Sequence, residues 1–498
     1  MMPSIIENLP VFAVITPLFI AFVLPTIAKR LKLVEGLVIL AKILSLAVAS
    51  CLAFIVLKQN ILPLTYYMGG WAPPWGIELQ TGSLSAFFLL VVAIVALPIA
   101  LFSKSNLDKE VGGKERVARF YVLFLLLCGA LAGMALTNDM FNVFVLVEVA
   151  TLSCCGLVSA RNKPQAAEAA FTYLILATLG STFLLGGIGF IYIITGHLNM
   201  GFAFEEITKV WMQYPHVVWI AVSFILIGFG VKSALFPLHI WLPDAHSAAP
   251  SSASAVLSGL AVKGYILCLI KFLFSVFGKN LMRELAIYEL LMLAGTAAII
   301  FGSVFALMQN QLKRRLAYST VAQVGYIYLG LGLLSIDGLT GALFYMASHA
   351  VIKSALFLAA GALLSATKTK NINELSGVGR KMPITMAAFT IGSIGLIGIP
   401  LFSGFIGKWY LLLGCLESGS FITAAVIIIG SIFCAAYLFP IIRIAYFEPA
   451  PDNDWKDPGL PQKIALILLS LAIIVLGIMP GPFLELAKNA AVELFMLK

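Results

Sequence analysis

Apolar runs of about 20 residues recur from one end of this chain to the other, and they restrict its fold more than any other feature. A helix of that length matches the hydrocarbon core of a bilayer, which is about 30 Å thick. The runs lie near 10–28, 35–57, 84–103, 118–137, 140–160, 168–195, 217–236, 249–273, 284–307, 315–334, 338–365, 384–415, 421–447 and 463–485. They predict an all-α polytopic membrane protein with about 14 transmembrane helices.

The composition agrees with lipid as the solvent. Of the 498 residues, 61% are hydrophobic and 11% are charged, where an ordinary soluble domain carries about 25% charged residues. The N-terminal MMPSIIENLP has no basic run, so we expect no signal peptide. The net charge of +9 does not indicate nucleic acid, because no compact basic stripe with interleaved aromatic residues occurs.

Loop charge tests the helix count. Loops after odd-numbered segments hold nineteen lysines and arginines, within 29–32, 104–119, 161–163, 313–315, 368–381 and 456–463. Loops after even-numbered segments hold four: Lys58, Lys209, Lys279 and Arg283. Cytoplasmic loops are the ones enriched in Lys and Arg. We therefore expect a multi-pass protein of a prokaryotic cell membrane with both termini on the outer side.

An internal repeat links segments 6 and 7 to segments 11 and 12. AAFTYLILATLGSTFLLGG is similar to GALFYMASHAVIKSALFLAAG, and LIGFGVKSALFPLHIWL to LIGIPLFSGFIGKWYLLL. An offset of five helices turns the second copy upside down in the membrane, which is typical of transporters with function near the midplane. The predicted units are 1–117 (helices 1–3), 118–273 (first five-helix repeat), 284–447 (second, inverted repeat) and 448–498 (helix 14).

Segments 7 and 12 each contain helix-breaking residues. Pro237 interrupts the first, and Gly398, Pro400, Gly404 and Gly407 punctuate the second. A broken membrane helix exposes backbone groups that lipid cannot satisfy, so it is tolerated where protein or water supplies partners. A packing kink is the simpler explanation, but paired breaks at matching repeat positions favour a functional role.

Ionisable residues deep in apolar segments are the candidate functional groups. Each costs about 2.5–3.5 kcal/mol at the bilayer centre. They are Lys42, Glu148, Lys232, Lys263, His349, Lys353 and Lys408. Lys42 lies near a segment end, so it could equally extend its ammonium to the interface, and Lys271 reads as an anchor at the end of segment 8.

Glu148 and Lys232 are predicted to form a switchable ion pair. A buried carboxylate needs a partner, and a lysine on a neighbouring helix provides one. While the pair is closed, the ammonium stays charged, and when it opens, desolvation favours the neutral amine and the proton leaves. A static salt bridge is the alternative.

The remaining groups extend this series into the second half of the chain. His349 and Lys353 are four residues apart and share one helix face, so a proton could pass between them through a water molecule. Lys408 follows the break in segment 12, and Lys263 lies between the two halves. Charge repulsion among the lysines could carry a protonation change along the membrane plane.

Five sequence segments resemble signature segments of one superfamily: FNVFVLVEVATL, GVKSALFPLHIWLPDAH, KRRLAYSTVAQVGYI, SHAVIKSALF and GIPLFSGFIGKWYLL. That superfamily comprises the antiporter-like subunits of respiratory complex I, the Mrp cation/proton antiporters and the membrane-bound hydrogenases. The resemblance runs from about residue 85 to 450 and is nearest to the short, Mrp D-type members. It implies fourteen helices in two inverted repeats.

The resemblance also implies roles for individual residues. Glu148 and Lys232 match the family's essential pair, Lys263 its central lysine, and Lys408 its exit lysine. His349 and Lys353 match the histidine and lysine of segment 11. Where some members carry a second histidine, this chain has Tyr345, which places the relay on His349.

Together these features predict a proton-translocating subunit of a multi-subunit membrane complex, driven by a redox module or by cation exchange, with sodium as an open second cargo. The partners expected are other membrane subunits and lipid, not nucleic acid. The seven cysteines form no CxxC pair and five histidines are too few for a pair of haems, so we expect no cofactor, no bound metal and no catalysis by this chain alone. The alternatives are a D-type subunit of a stand-alone Mrp Na⁺/H⁺ antiporter and an independent inverted-repeat solute carrier.

Overall fold

Fourteen helical crossings form the body of the protein. The computed structural model describes residues 6–59, 63–104, 107–450 and 452–496. Spans 1 to 14, numbered as the segments above, are Leu9–Ile27, Leu31–Gln59, Ser83–Ser103, Lys114–Leu136, Met140–Ser159, Pro164–Thr195, Pro215–Lys232 with Trp241–Ala248, Ser251–Glu284, Ile287–Leu307, Leu312–Gly332, Ile336–Thr367, Pro383–Ile397 with Ser403–Glu417, Phe421–Phe447 and Leu460–Ile478.

Twelve helices in the described part of the chain are long and apolar enough to cross a membrane by themselves. The other two crossings are spans 10 and 12. Span 10 carries Lys313, Arg314 and Arg315 in its first turn, and span 12 is split into two halves of 15 residues. The predicted count of fourteen is therefore confirmed.

The two repeats are visible in the backbone. Spans 6 and 11 are both 32 residues long. At the start of span 5, Asp139 forms an isolated β-bridge with Asn199, and at the start of span 10, Gln311 forms one with Asn371. The same short cross-link thus closes the corresponding helix pair in each copy. The two inverted five-helix repeats are confirmed, and their limits at 118–273 and 284–447 stay a prediction.

Spans 7 and 12 are broken, as predicted, but the first break starts earlier than Pro237. The helix of span 7 ends at Lys232 and resumes at Trp241. The Trp241 indole Nε1 donates to the Val231 carbonyl oxygen at 2.8 Å, which satisfies a backbone group released by the break. Span 12 is interrupted from Gly398, whose φ of 91° favours glycine.

Two further boundaries differ from the sequence prediction. Span 8 continues to Glu284 through two π-helical segments, Leu257–Ala261 and Leu273–Phe277, so Lys271 does not close it. Span 14 ends at Ile478, and a further helix, Gly481–Met496, follows it. The last predicted unit, 448–498, therefore holds more than helix 14.

The remaining elements are short. A two-stranded antiparallel hairpin, Leu64–Tyr67 with Glu78–Thr81, encloses a 3₁₀ turn at Met68–Gly70. Short helices occupy Leu107–Val111, Met200–Val210, Ile372–Leu375 and Val378–Lys381. The final helix packs on spans 3 and 11, where the Glu493 carboxylate accepts hydrogen bonds from the backbone and hydroxyl of Ser83.

Candidate functional site: a buried file of lysines

Glu148 and Lys232 form the predicted ion pair. The Lys232 ammonium lies 3.2 Å from a Glu148 carboxylate oxygen and donates to the Thr151 hydroxyl at 2.9 Å. The Ser181 hydroxyl donates to the same carboxylate oxygen. Lys232 is the last residue of a half-helix, and at the break its side chain contacts span 5 and the Tyr265 ring of span 8.

The two members of the pair differ in exposure. The Lys232 side chain is fully buried, whereas the Glu148 side chain is 30% exposed. Phe141, Val145 and Leu152 of the same helix are also exposed, and their spacing places them near Glu148 on an outward-facing stripe. The sequence predicted a deeply buried carboxylate, and the structure corrects this to a position at the edge of the bundle.

Lys263 lies in span 8, directly after a π-helical segment. It is fully buried, and its ammonium donates to the carbonyl oxygen of Ser258. A π-helical segment leaves an irregular hydrogen-bond ladder and is frequent at functional sites. The Ser258 hydroxyl in turn lies 2.9 Å from the Thr320 hydroxyl of span 10, so Lys263 is linked to the second repeat.

Lys353 is held by span 10. Its ammonium donates to the Leu316 carbonyl oxygen at 2.7 Å and to the Ser319 hydroxyl. The Leu316 carbonyl oxygen also accepts from the Thr320 hydroxyl at 3.1 Å. Lys263 and Lys353 are therefore connected through a short chain of hydroxyl and carbonyl groups.

His349 lies one turn before Lys353 in a fully buried position. Neither ring nitrogen has a protein hydrogen-bond partner within the described ranges. The ring lies close enough to Lys263, Lys353 and Lys408 for their charges to act on it. It is nearly parallel to the Tyr345 ring, 6.2 Å away. Tyr345 donates its hydroxyl to Gln323, so it is a polar neighbour where a second histidine is missing.

Lys408 occupies the break in span 12. Its ammonium donates to the carbonyl oxygens of Leu396 and Ile397 at 3.0 and 2.9 Å, and to the Ser431 hydroxyl at 3.0 Å. These carbonyls end the first half-helix, where the helix dipole attracts a cation. The ammonium also lies 4.6 Å from the centroid of the Tyr326 ring, an additional cation–π contact.

The six predicted residues therefore fall into two groups. Lys263 and Lys353 are joined by hydrogen bonds through Ser258, Thr320 and Leu316. His349 and Lys408 adjoin them through ring contacts with Tyr345, and Glu148 and Lys232 form a separate pair. Ser233, next to Lys232, meets the Tyr328 hydroxyl of span 10 at 2.7 Å. The Thr151 hydroxyl, which accepts from Lys232, also lies 3.3 Å from the Tyr265 hydroxyl of span 8, two residues from Lys263.

Four further lysine or arginine residues are buried among the described residues: Lys42, Lys271, Lys313 and Arg315. Lys271 is buried and donates to the Thr137 carbonyl oxygen at the end of span 4, so it does not close span 8 as the interfacial anchor that its position suggested. Lys42 is buried against the Phe124 ring and does not extend along the lipid face. Lys313, counted above as a loop residue, is also buried.

Sequence reasoning missed His246. It is fully buried and, within the described part of the chain, neither of its ring nitrogens has a protein partner. Its charge neighbours are Lys263, Lys313 and Lys353. The signal was present, because a histidine one helical turn after the break in span 7 is unusual in an apolar segment.

The described residues contain no cluster of three or more His, Cys, Asp or Glu side chains that could hold a metal ion. All seven cysteines are free thiols. The groups that converge in the interior are amines, imidazoles, hydroxyls and one carboxylate. This set can bind, store and pass protons.

Comparisons with known proteins agree with this arrangement. Residues 137–434 match the family model described as NADH:quinone oxidoreductase/Mrp antiporter, TM. The chain is 35% identical to NADH-quinone oxidoreductase subunit N of Desulforudis audaxviator, over 95% of this chain and 96% of that one.

Solved structures give the same result. One chain of the archaeal membrane-bound sulfane sulfur reductase superposes with a TM-score of 0.90 at 31% identity, covering 98% of both chains. One chain of the Mrp complex from a Dietzia species superposes with a TM-score of 0.89 at 26% identity, covering 99% of this chain and 98% of that one. Similarity thus extends over essentially the whole length.

Proposed function

The chain belongs to the NADH:quinone oxidoreductase/Mrp antiporter family, and on that premise we propose that it moves protons through the buried lysine file as one subunit of a larger membrane complex. Glu148 and Lys232 form the gated pair. Lys263, His349 and Lys353 carry the proton through the centre, and Lys408 releases it. Sodium exchange or a redox partner supplies the driving force.

One observation supports this proposal most strongly. The ammonium groups of Lys263, Lys353 and Lys408 are buried and donate hydrogen bonds to uncharged carbonyl and hydroxyl oxygens. Of the six side-chain ion pairs within 4 Å among described residues, only the Glu148 pair includes a lysine of the file. Burial opposes the charged amine, while carbonyl and hydroxyl acceptors favour it. These two opposing effects keep the neutral and charged forms of each lysine close in free energy, and a proton carrier requires both forms to be accessible.

The exposure of Glu148 supports assembly with other subunits. A carboxylate that faces lipid near the bilayer midplane is expensive, and its neighbours on that face are large apolar residues. A neighbouring membrane subunit that covers this face would remove the carboxylate from lipid. The named relatives are themselves subunits of multi-subunit complexes, and a hetero-oligomer is therefore the expected state.

The proposed location is the cytoplasmic membrane of a prokaryote, with both termini on the outer side, because the basic loops follow odd-numbered spans. Single cysteines at Lys209 and Lys456, both exposed, test this orientation. An impermeant maleimide should label Lys209→Cys in intact cells and Lys456→Cys in inverted vesicles. The opposite pattern would reverse the orientation.

Proton uptake by inverted vesicles that contain the whole complex tests the function. Lys232→Met should reduce uptake at least tenfold, whether a reduced donor or a sodium gradient drives it. Lys209→Met is the matched control, because it removes an equal charge from the surface, where Lys209 pairs with Glu206, and should leave uptake unchanged. Normal uptake by Lys232→Met would overturn the proposal, and the driving condition that supports wild-type uptake identifies the energy source.

A further inference from the structure

A cavity of about 750 Å³ opens on the side of the molecule that carries the basic loops. Its walls come from the loops after spans 3, 5, 11 and 13 and from the start of span 8. Five exposed lysines line it: Lys109, Lys163, Lys368, Lys370 and Lys456. None of them has an ion-pair partner within 4 Å among the described residues. The cavity extends from the surface to Ser251, the first residue of span 8.

Glu110 lies in the wall of this cavity. Its carboxylate pairs with Arg161 at 3.1 Å and accepts the backbone N–H of Ser251 at 2.7 Å. The Glu110 side chain is only 7% exposed. The group therefore separates the cavity from the protein interior, and Ser251 is the first residue of span 8.

Lys313 lies behind this wall. Its ammonium donates to the Ala249 carbonyl oxygen at 3.0 Å and lies 3.5 Å from the Ser254 hydroxyl. Lys313 is buried, and the Ala249 carbonyl that it binds is two residues before Ser251, whose N–H binds Glu110. Like the lysines of the file, it is held by neutral acceptors.

The His246 backbone lies beside Ser254, which contacts Lys313, and the His246 ring lies beside Phe357, which also contacts Lys353 of the file. The Ser254 hydroxyl, which contacts Lys313, also donates to the His246 carbonyl oxygen at 3.0 Å. The His246 ring stacks on Phe357 with centroids 4.6 Å apart, and the Lys353 ammonium lies 5.8 Å from the centroid of the same Phe357 ring. Both ring nitrogens are free of protein hydrogen bonds in the described chain, so both are available for proton exchange.

We propose that this cavity is a proton-uptake site and that Glu110, Lys313 and His246 form a branch that delivers protons from it to Lys353. The inference rests on the proposed function, because it requires that Lys353 carries protons. Each transfer moves one proton and no electrons. The Glu110 carboxylate takes a proton from water in the cavity and passes it to the neutral Lys313 amine, and the resulting ammonium protonates one nitrogen of His246. The imidazolium then releases the proton on its other nitrogen to the neutral amine of Lys353, through intervening water.

A purely structural role predicts different behaviour. In that case Lys313 caps a carbonyl group and the His246 ring fills space. His246→Phe keeps the ring and its stacking on Phe357 and breaks no protein hydrogen bond, so it should then be harmless. Phenylalanine cannot carry a proton, so the same substitution should stop transfer through the branch if His246 is a proton carrier.

The test is proton uptake by inverted vesicles that contain the complete complex. We expect His246→Phe and Lys313→Met to reduce uptake at least tenfold with normal assembly. Arg314→Met is the matched control, because it removes an equal charge one residue away, where Arg314 pairs with Asp244 at 3.2 Å, and should leave uptake unchanged. Normal uptake by both His246→Phe and Lys313→Met would overturn the branch.

Chemical block of the cavity gives a readout on folded protein. In a Cys51→Ala background, Ser365→Cys places a thiol in the cavity wall, and Ser159→Cys places one on an exposed site outside it. A charged, impermeant thiol reagent added from the cavity side should slow uptake at Ser365→Cys and leave Ser159→Cys unaffected. Equal uptake by the two labelled proteins would refute a cavity route, even if Lys313→Met fails to assemble.

The proposed function and the proton-uptake branch can be refuted separately. Normal uptake by Lys232→Met would remove the proposed function and the branch together. Loss of uptake in Lys232→Met, with normal uptake in His246→Phe, Lys313→Met and labelled Ser365→Cys, would remove only the branch.

Discussion

The pair of Glu148 and Lys232 allows a quantitative test by double mutation. Lys232→Met leaves the Ser181 hydroxyl as the remaining hydrogen-bond donor to the Glu148 carboxylate among the described residues. Breaking a buried ion pair costs about 3–5 kcal/mol. The Glu148 side chain is 30% exposed, but toward lipid or a neighbouring subunit and not toward water, so the stranded charge is not hydrated there and we expect a loss of about 3–5 kcal/mol in the free energy of unfolding.

The reverse substitution should be comparably damaging. Glu148→Gln strands the ammonium of Lys232, which is fully buried, so a loss of about 3–5 kcal/mol is expected. In the double variant no unpaired charge remains, and the amide oxygen can still accept from Ser181. Its stability should therefore lie above that of either single variant, since replacing a buried ion pair by neutral groups is often close to neutral.

Unfolding of the detergent-solubilised protein by increasing denaturant measures all three variants. The signature of the pair is a strong departure from additivity in this cycle. A double variant whose loss equals the sum of the two single losses would refute the coupling. Proton uptake should be lost in all three, because restoring stability does not restore a carrier.

Two further predictions separate the relay from its scaffold. His349→Phe removes a ring without protein hydrogen bonds, so unfolding should change by less than about 1.5 kcal/mol while proton uptake falls at least tenfold; normal uptake would exclude His349 from the relay. A Cβ at Gly404 would lie 2.0 Å from the Gly395 carbonyl oxygen, so Gly404→Ala must separate the halves of span 12, lowering stability by about 1–3 kcal/mol and disturbing Lys408. Gly189→Ala, with no atom within 4 Å, is its control, and equal behaviour of the two alanine variants in the unfolding assay would contradict the tight contact.

The sequence predicted best the features that depend on the residues of a single segment. Spans are set by the length of apolar runs, and the predicted limits of span 13, 421–447, are those of the helix Phe421–Phe447. The pairing of Glu148 with Lys232 was also predictable, because a charge in an apolar segment requires a partner.

Features that depend on tertiary contacts were not predictable. The helix Gly481–Met496 was merged with segment 14, since only Met479 and Pro480 separate two apolar stretches. Lys313 and Lys271 look like loop or interface residues by position, and their burial arises from carbonyl groups on other spans. The exposure of Glu148 results from where span 5 lies in the bundle, which periodicity does not reveal.

The most direct test of the central claim is proton uptake by Lys353→Met in inverted vesicles that contain the whole complex. Lys353 lies in the middle of the file, linked by Leu316 and Thr320 toward Lys263 and adjacent to His349. If protons pass along one file, this substitution should stop uptake as completely as Lys232→Met does. Uptake that persists at about half the wild-type rate would show that the two repeats work as independent channels and would contradict the account.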